Sequence, residues 1–436
     1  MTRKIILATV GTMGDLHPFI AIAHALRERG FRPVLAVPED HLAKAEAAGI
    51  EAVAVLPSFA TIFARMGVSD RKAAKRIIND QRQMFERVIL PDLSSCAAAL
   101  DAMADDAEAI VASAFFLAAP IVAQKRHLPL VSVVLQPMAM LSAFDPPHTP
   151  DFWMMKGAPV GPVGARWNRA MYAVARQVLD LLYGRRIDAA RREHGLPPAG
   201  GARMFEARED ALLALGCYSP HFAALPPDAY PNTRLTGFPL FDSASGGGDA
   251  LDSALAAFLN AGAPPLVFTL GTFAIHAAGR FYEEAAEIAR RLGTRAVLLT
   301  GGPIPDGLDE SIFACAYAPH SAIFPHASVI VHHGGVGTTG QALRAGKPQL
   351  VVPHMGDQND HAIRIERLGL GHSIAPNRFK ADRVAPVLRT MLGDGAMQAE
   401  ARRIGAPVMA EHGATAAAAA IAQALDTVRI QAAPSL

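Results

Sequence analysis

Short apolar runs and amphipathic stretches alternate along this chain, stop at a glycine-rich break, and then alternate again. Residues 4–10 form an apolar run. Residues 18–29 follow, with Ile20, Ala23 and Leu26 on one helical face and Gly30 just past the end. The same pattern predicts strands at 33–37, 51–55, 109–112 and 130–135, and helices at 41–48 and 118–126. Strands separated by helices run parallel, because each crossover returns the chain to the same edge, and such crossovers are right-handed. The class is therefore α/β and doubly wound. Residues 136–164 are rich in Pro, Met and aromatics and show no period, so they read as a long loop; 166–194 then read as helical.

The break holds Ser243-Ala-Ser-Gly-Gly-Gly-Asp249 and Ala263-Pro-Pro265, which is linker chemistry. Beyond it, strands are predicted at 266–270, 296–300, 329–332 and 349–352, with helices at 280–292, 339–345 and 361–368, and an Ala-rich helix at 414–428. The expected division is a first domain at 1–238, a linker at 239–265, a second domain at 266–412 and a terminal segment at 413–436. Two Rossmann-like, doubly wound domains would then face a cleft. Open parallel sheets bind ligands beyond the carboxyl ends of their strands, so the cleft is where a ligand is expected.

Composition removes several classes of function. The 436 residues carry 41 basic and 40 acidic side chains, a net charge of +1, which gives no electrostatic case for nucleic acid. With 51% hydrophobic and 19% charged residues, the chain is too apolar to stay disordered. Cys96, Cys217 and Cys315 lie far apart with no CxxC, which speaks against a disulfide framework or structural zinc and suits a reducing, cytoplasmic setting. The N-terminal apolar run is too short for a signal peptide, and no segment approaches the ~20 apolar residues of a membrane span.

The chemistry concentrates in Val329-Ile-Val-His-His-Gly-Gly-Val-Gly-Thr-Thr-Gly-Gln-Ala-Leu-Arg-Ala-Gly346. A buried strand ends at His332-His333, a glycine turn follows, and a helix is expected to start near Thr338 or Thr339. Glycines admit a phosphate close to the backbone, and a helix start offers free N–H groups and partial positive charge. No Gly-Lys-Ser/Thr follows, so this is not a P-loop. Gly335-Val-Gly-Thr-Thr-Gly340 does spell G-x-G-x-x-G, and Asp357 lies about twenty residues on, which keeps an NAD-binding oxidoreductase open on spacing alone. After the first strand comes Gly11-Thr-Met-Gly-Asp-Leu-His-Pro18. Asp15 there could be a general base or could cap the helix expected from Pro18; His17 is a second candidate base.

Ala316-Tyr-Ala-Pro-His-Ser321, the His332–Gln341 turn, Gly346-Lys-Pro348 and Pro353-His-Met-Gly-Asp-Gln358 together resemble the donor-binding signature of family 1 nucleotide-sugar glycosyltransferases. The stretch on to Leu368-Gly-Leu-Gly371 is most similar to the bacterial rhamnosyltransferase and sterol- and antibiotic-modifying branch. The resemblance implies a GT-B fold with the terminal helix returning to the first domain. It implies an inverting, metal-independent hexosyl transfer, glucose or rhamnose, from a UDP- or dTDP-sugar to a hydroxyl of a lipophilic small molecule, with no other cofactor. By it, Tyr317 stacks on the base and the Ala318 backbone meets the base edge. His333 and the N–H groups of Gly335, Gly337 and Thr338 hold the diphosphate, and Thr272 reaches the phosphate. Gln341 stands at the ribose position, Asp357 and Gln358 bind sugar hydroxyls, and Asp15 is the base. The carboxylate that orients the base in plant relatives falls near Ser113 and is missing. No Asp-x-Asp metal clamp is present. A catalytically silent partner of the same fold is the other alternative.

Overall fold

The computed structural model describes residues 3–68, 72–73, 76–77, 80, 82–202, 210–241, 250–271 and 278–432. The glycine-rich break at 243–249 lies outside the described residues, as does Thr272. Two all-parallel sheets carry the fold. The first has seven strands, β1 (Arg3–Ala8), β2 (Phe31–Pro38), β3 (Glu51–Leu56), β4 (Ala107–Ser113), β5 (Leu130–Val134), β6 (Leu213–Gly216) and β7 (Thr233–Leu235), in the order β3-β2-β1-β4-β5-β6-β7. The second has six, β8 (Leu266–Thr269), β9 (Ala296–Leu299), β10 (Ile312–Cys315), β11 (Val329–His332), β12 (Gln349–Val351) and β13 (Gly371–Ser373), in the order β10-β9-β8-β11-β12-β13. Both orders reverse once, between β1 and β4 and between β8 and β11. These are the switch points where neighbouring loops diverge and leave a crevice.

The central strands are continuous apolar runs because helices cover both faces. Ile5, Ile6, Leu7 and Ala8 are fully buried, as are Leu266, Val267 and Phe268. The Gly413–Ala432 helix crosses back and lays Ala417, Ala418, Ile421 and Leu425 into the first sheet's core beside Leu16, Phe19 and Ile20. Its alanines allow the close approach.

Several element starts differ from the sequence reading, all in one direction. The first helix runs Met13–Glu28 rather than from Pro18, because Thr12 and Asp15 form a capping box and Pro18 is carried inside the helix. The helix after the glycine turn runs Val336–Arg344 rather than from Thr338 or Thr339. The one after β12 runs Asp357–Arg367 rather than from His361. The long loop at 136–161 holds two short 3-10 turns, Pro137–Met140 and Pro150–Phe152, before Pro162 opens the Pro162–Glu193 helix at its first position.

Candidate active site

Asp15 belongs to the first turn of its helix, not to a free loop. Its Oδ2 accepts the Thr12 backbone N–H at 2.8 Å and lies 3.4 Å from the Thr12 hydroxyl, while the Thr12 hydroxyl accepts the Gly14 N–H at 3.2 Å. Gly11, with φ +124°, turns the chain from β1 into this cap; a Cβ there would sit 2.2 Å from Asp15 Oδ2. His41 donates from Nε2 to the Gly11 carbonyl at 3.0 Å and fixes the turn from behind. Burial lifts the Asp15 pKa to about 6, against the lowering pull of the Thr12 bonds. His17 packs edge-on against Phe241, with ring centroids 5.5 Å apart. Ser113 is buried at the end of β4 and brings no carboxylate.

The second domain presents an open helix end. Gly335 is the N-cap of Val336–Arg344 and has no side-chain cap. Thr339 N–H is the first to find an intrahelical acceptor, the Gly335 carbonyl at 2.9 Å. The N–H groups of Val336, Gly337 and Thr338 therefore have no partner within the helix, the condition for binding an anion. His333 is buried beside this end. Its Nδ1 accepts the Gly271 N–H at 3.0 Å, so the proton of the neutral ring is on Nε2. Burial and the neighbouring histidines hold its pKa well below the usual range, so it is a neutral donor. A Cβ on Gly271 or Gly335 would lie 2.4 Å from His333 Nε2, and only glycines fit around the ring. Behind the turn, fully buried His332 accepts the Gly334 N–H on Nδ1 at 3.1 Å and meets Gln349 Oε1 at 2.9 Å; burial lowers its pKa to about 3. His361 Nδ1 lies 2.7 Å from the Gly334 carbonyl.

Asp357 and Gln358 open the next helix, after Gly356 at φ +43°. Gln358 Oε1 accepts the N–H groups of His354 at 2.8 Å and Met355 at 3.3 Å, which leaves its NH₂ as the end available to a ligand. Burial raises the Asp357 pKa to about 7, helped by the charges of Asp15 and then Asp360. The fold thus brings Asp15 of one sheet into electrostatic contact with Asp357 of the other. Tyr317 is 44% exposed, whereas Ala318, Thr338 and Gln341 are buried.

A strap ties the 136–161 loop to the same helix. Arg364 pairs with Asp360 in its own helix and with Asp145 in the loop, each at 2.7 Å. The His148 N–H reaches Asp360 Oδ1 at 3.1 Å, and its Nε2 lies 2.6 Å from Arg367 Nη1. Next to it, a pocket of about 410 Å³ is lined by Pro147, Phe152, Trp153 and Met155 from the loop and by Pro353 and Ile363 from the second domain. Sequence reasoning missed His41, His361 and the strap. His361 follows Asp357 by one helical turn, a signal that appears once the helix is started at Asp357. His41 and Asp145 carry no local signal.

Two switch-point sheets, one followed by an uncapped helix start and the other by the Asp15 turn, define a two-domain, doubly wound α/β architecture. Residues 296–425, which include Tyr317 through Gln358, match the C-terminal domain of the erythromycin biosynthesis protein CIII-like family. O-mycaminosyltylonolide 6-deoxyallosyltransferase of Streptomyces fradiae is 29% identical over 94% of each chain. The glycotransferase of kitacinnamycin superposes with a TM-score of 0.70 over 98% of this chain and all of that one, at 20% identity. Spinosyn rhamnosyltransferase SpnG complexed with thymidine diphosphate does so with a TM-score of 0.62 over 96% of this chain and 99% of that one, at 18% identity. The chain has the GT-B fold and is a glycosyltransferase, with its second domain matching the CIII-like family's C-terminal domain. Among the described residues, no helix is long and apolar enough to cross a membrane.

Proposed function

We propose that this enzyme moves a hexosyl group, with inversion and without a metal ion, from a UDP- or dTDP-sugar to a hydroxyl of a lipophilic small molecule. One observation carries the reading: an uncapped helix end at Gly335 with the His333 ring buried beside it. The acceptor O–H gives its proton to Asp15, and its oxygen bonds to the anomeric carbon from the face opposite the leaving group. The bond from that carbon to the diphosphate oxygen breaks, and the nucleoside diphosphate leaves with the electron pair. Its growing charge is met by His333 Nε2–H and by the N–H groups of Gly337 and Thr338, donors already fixed in place. The roles of Tyr317 against the base, Ala318 at its edge, Gln341 at the ribose, and Asp357 and Gln358 on the sugar are those the family resemblance implies, with Thr272 assigned to the phosphate.

The thymidine diphosphate held by SpnG supports dTDP as the nucleotide. The pocket lined by Pro147, Phe152, Trp153 and Met155, with exposed Met154 next in sequence, supports a lipophilic acceptor. The test is thermal stabilisation by UDP, dTDP, UDP-glucose, dTDP-rhamnose and NADH, followed by transfer assays with the stabilising donor in EDTA. A ligand at ~100 times its Kd adds about 2.7 kcal/mol, well within detection. Stabilisation by NADH alone would turn the glycine turn into a dinucleotide site. Activity abolished by EDTA would overturn the metal-free reaction.

A further inference from the structure

We propose that His361 is a positioning residue for the diphosphate-binding turn, holding the Gly334 carbonyl so that the helix start at Val336 keeps its N–H groups toward the ligand. This rests on the glycosyl-transfer reading above. The argument begins with Gly334 itself. At φ +90°, a Cβ there would lie 2.8 Å from Val351 Cγ1 and 3.1 Å from the Gln358 carbonyl oxygen. The turn therefore has no side chain of its own at its tightest point, and its peptide groups must be held by neighbours.

Two histidines do this from opposite sides. The Gly334 N–H can only donate, so His332 Nδ1 is unprotonated and its proton sits on Nε2 toward Gln349. The Gly334 carbonyl can only accept, so His361 carries its proton on Nδ1. One glycine fixes the two rings in opposite tautomers. His361 is fully buried, and its Nε2 finds no hydrogen-bond partner among the described residues. A ring kept only for packing would not carry an unmet polar atom, since Leu or Phe would fill the space without one. The polar atom that is satisfied, Nδ1, is the one on the turn.

The position of His361 also joins three parts of the site. Its helix opens with Asp357 and Gln358. Its ring lies edge-on to Phe222 of the first domain, with centroids 5.6 Å apart. Phe222 packs in turn near Phe238, which lies against Gly340 of the helix that follows the turn. A shift of the ring would therefore be felt at the diphosphate turn first.

The experiment compares H361L, H361N and H361Q for binding of dTDP and UDP and for donor KM and kcat. Asn can present its NH₂ near the Nδ1 position, Gln presents it farther out, and Leu removes the donor. H361L should raise nucleotide Kd and donor KM roughly 5- to 30-fold, the size of one lost buried hydrogen bond. Because the same N–H groups meet the leaving diphosphate, kcat should fall as well, by no more than the change in Kd. H361N should recover most of the affinity and H361Q little. Thermal stability should not follow that order, because Leu also removes the unmet Nε2. Nucleotide affinity unchanged in H361L overturns the proposal. If H361L does not fold, equal affinities in H361N and H361Q overturn it. A wild-type protein that binds neither nucleotide overturns the transfer reading, an outcome distinct from normal wild-type binding with an indifferent H361L.

Discussion

Asp15 Oδ2 receives the Thr12 N–H at 2.8 Å, so the carboxylate assigned as base also pins the start of its own helix. One oxygen is spent on the cap, and in the proposed reaction Oδ1 is the one that meets the acceptor hydroxyl. The two roles can be separated chemically. Asp15→Asn keeps an amide oxygen to accept from Thr12 but cannot take a proton. Transfer should fall about 10²- to 10⁴-fold, while nucleotide affinity and melting temperature stay close to wild type. Single-turnover rates beside calorimetric titration with dTDP check this. A full rate in the Asn variant assigns the base elsewhere.

The Asp15–Asp357 pair sets a pH dependence with a definite sign. Both carboxyls have raised pKa values, about 6 and about 7, so the folded protein holds protons that the unfolded chain, near 3.9, has already released. Their contribution favours the fold below about pH 4 and is lost as pH rises through 6 to 7. Asp357→Asn, without nucleotide, should therefore stabilise the protein at pH 8 by roughly 1–3 kcal/mol, after allowance for its part exposure, and by much less at pH 5. Donor KM should rise in the same variant. Thermal melts at the two pH values decide; equal shifts at both would remove the like-charge account. In the wild type, transfer should decline tenfold per pH unit below about pH 6, as Asp15 takes up its proton.

Much of the fold and of the candidate site is legible in the sequence, and the reasons for the gaps are physical. Apolar runs such as Ile5–Ala8 and Val329–His332 announce buried strands because no alternation survives when both faces are covered. The Met13–Glu28 and Val336–Arg344 helices start earlier than the sequence suggests, each with a glycine or proline inside its first turns. Gly337 looks like turn but is helical, and Pro18 looks like a start but is interior. β7 (Thr233–Leu235) and β13 (Gly371–Ser373) hold one apolar residue between them, Leu235, so no apolar run announces them. His333, Asp15, Asp357 and Gln358 stand out through their motifs, and the charge of Asp15 acts on Asp357. The Asp145–Arg364 contact joins residues 219 positions apart, and only the tertiary fold creates it.

Gly11 tests how tightly the base is held. Its φ of +124° is open to glycine and strained for any side chain, and a Cβ would fall 2.2 Å from Asp15 Oδ2. Gly11→Ala must move either the carboxylate or the turn that His41 pins. The expected cost is about 1–3 kcal/mol in stability. Transfer should fall further than the unfolded fraction explains, because the base is displaced. Denaturation curves and kcat for the same preparation separate the two effects. A Gly11→Ala enzyme with normal kcat would mean that the turn relaxes without moving Asp15.

The strap between the domains makes a contrast between its two ends. Asp360 is fully buried, and Arg364 is its charged partner in the same helix. Removing Arg364 strands that carboxylate, so Arg364→Ala should cost about 3–5 kcal/mol. Asp145, on the loop, is a quarter exposed. Asp145→Asn should cost roughly 1 kcal/mol or less at pH 7, in the range of a partly solvated pair. Burial pushes the Asp145 carboxyl up, but the His148 bond and the Arg364 charge outweigh it and hold it at about 2. Its contribution is therefore present above about pH 4 and is lost as pH falls through 2. Loss of the Asp145 end frees the loop that carries Phe152 and Trp153, so its main effect should be a higher KM for the acceptor with an unchanged nucleotide Kd. Urea unfolding of both variants, with acceptor and donor KM measured separately, tests the contrast. Equal costs at the two ends would show that Asp360 is solvated and that the strap is an ordinary surface ion pair.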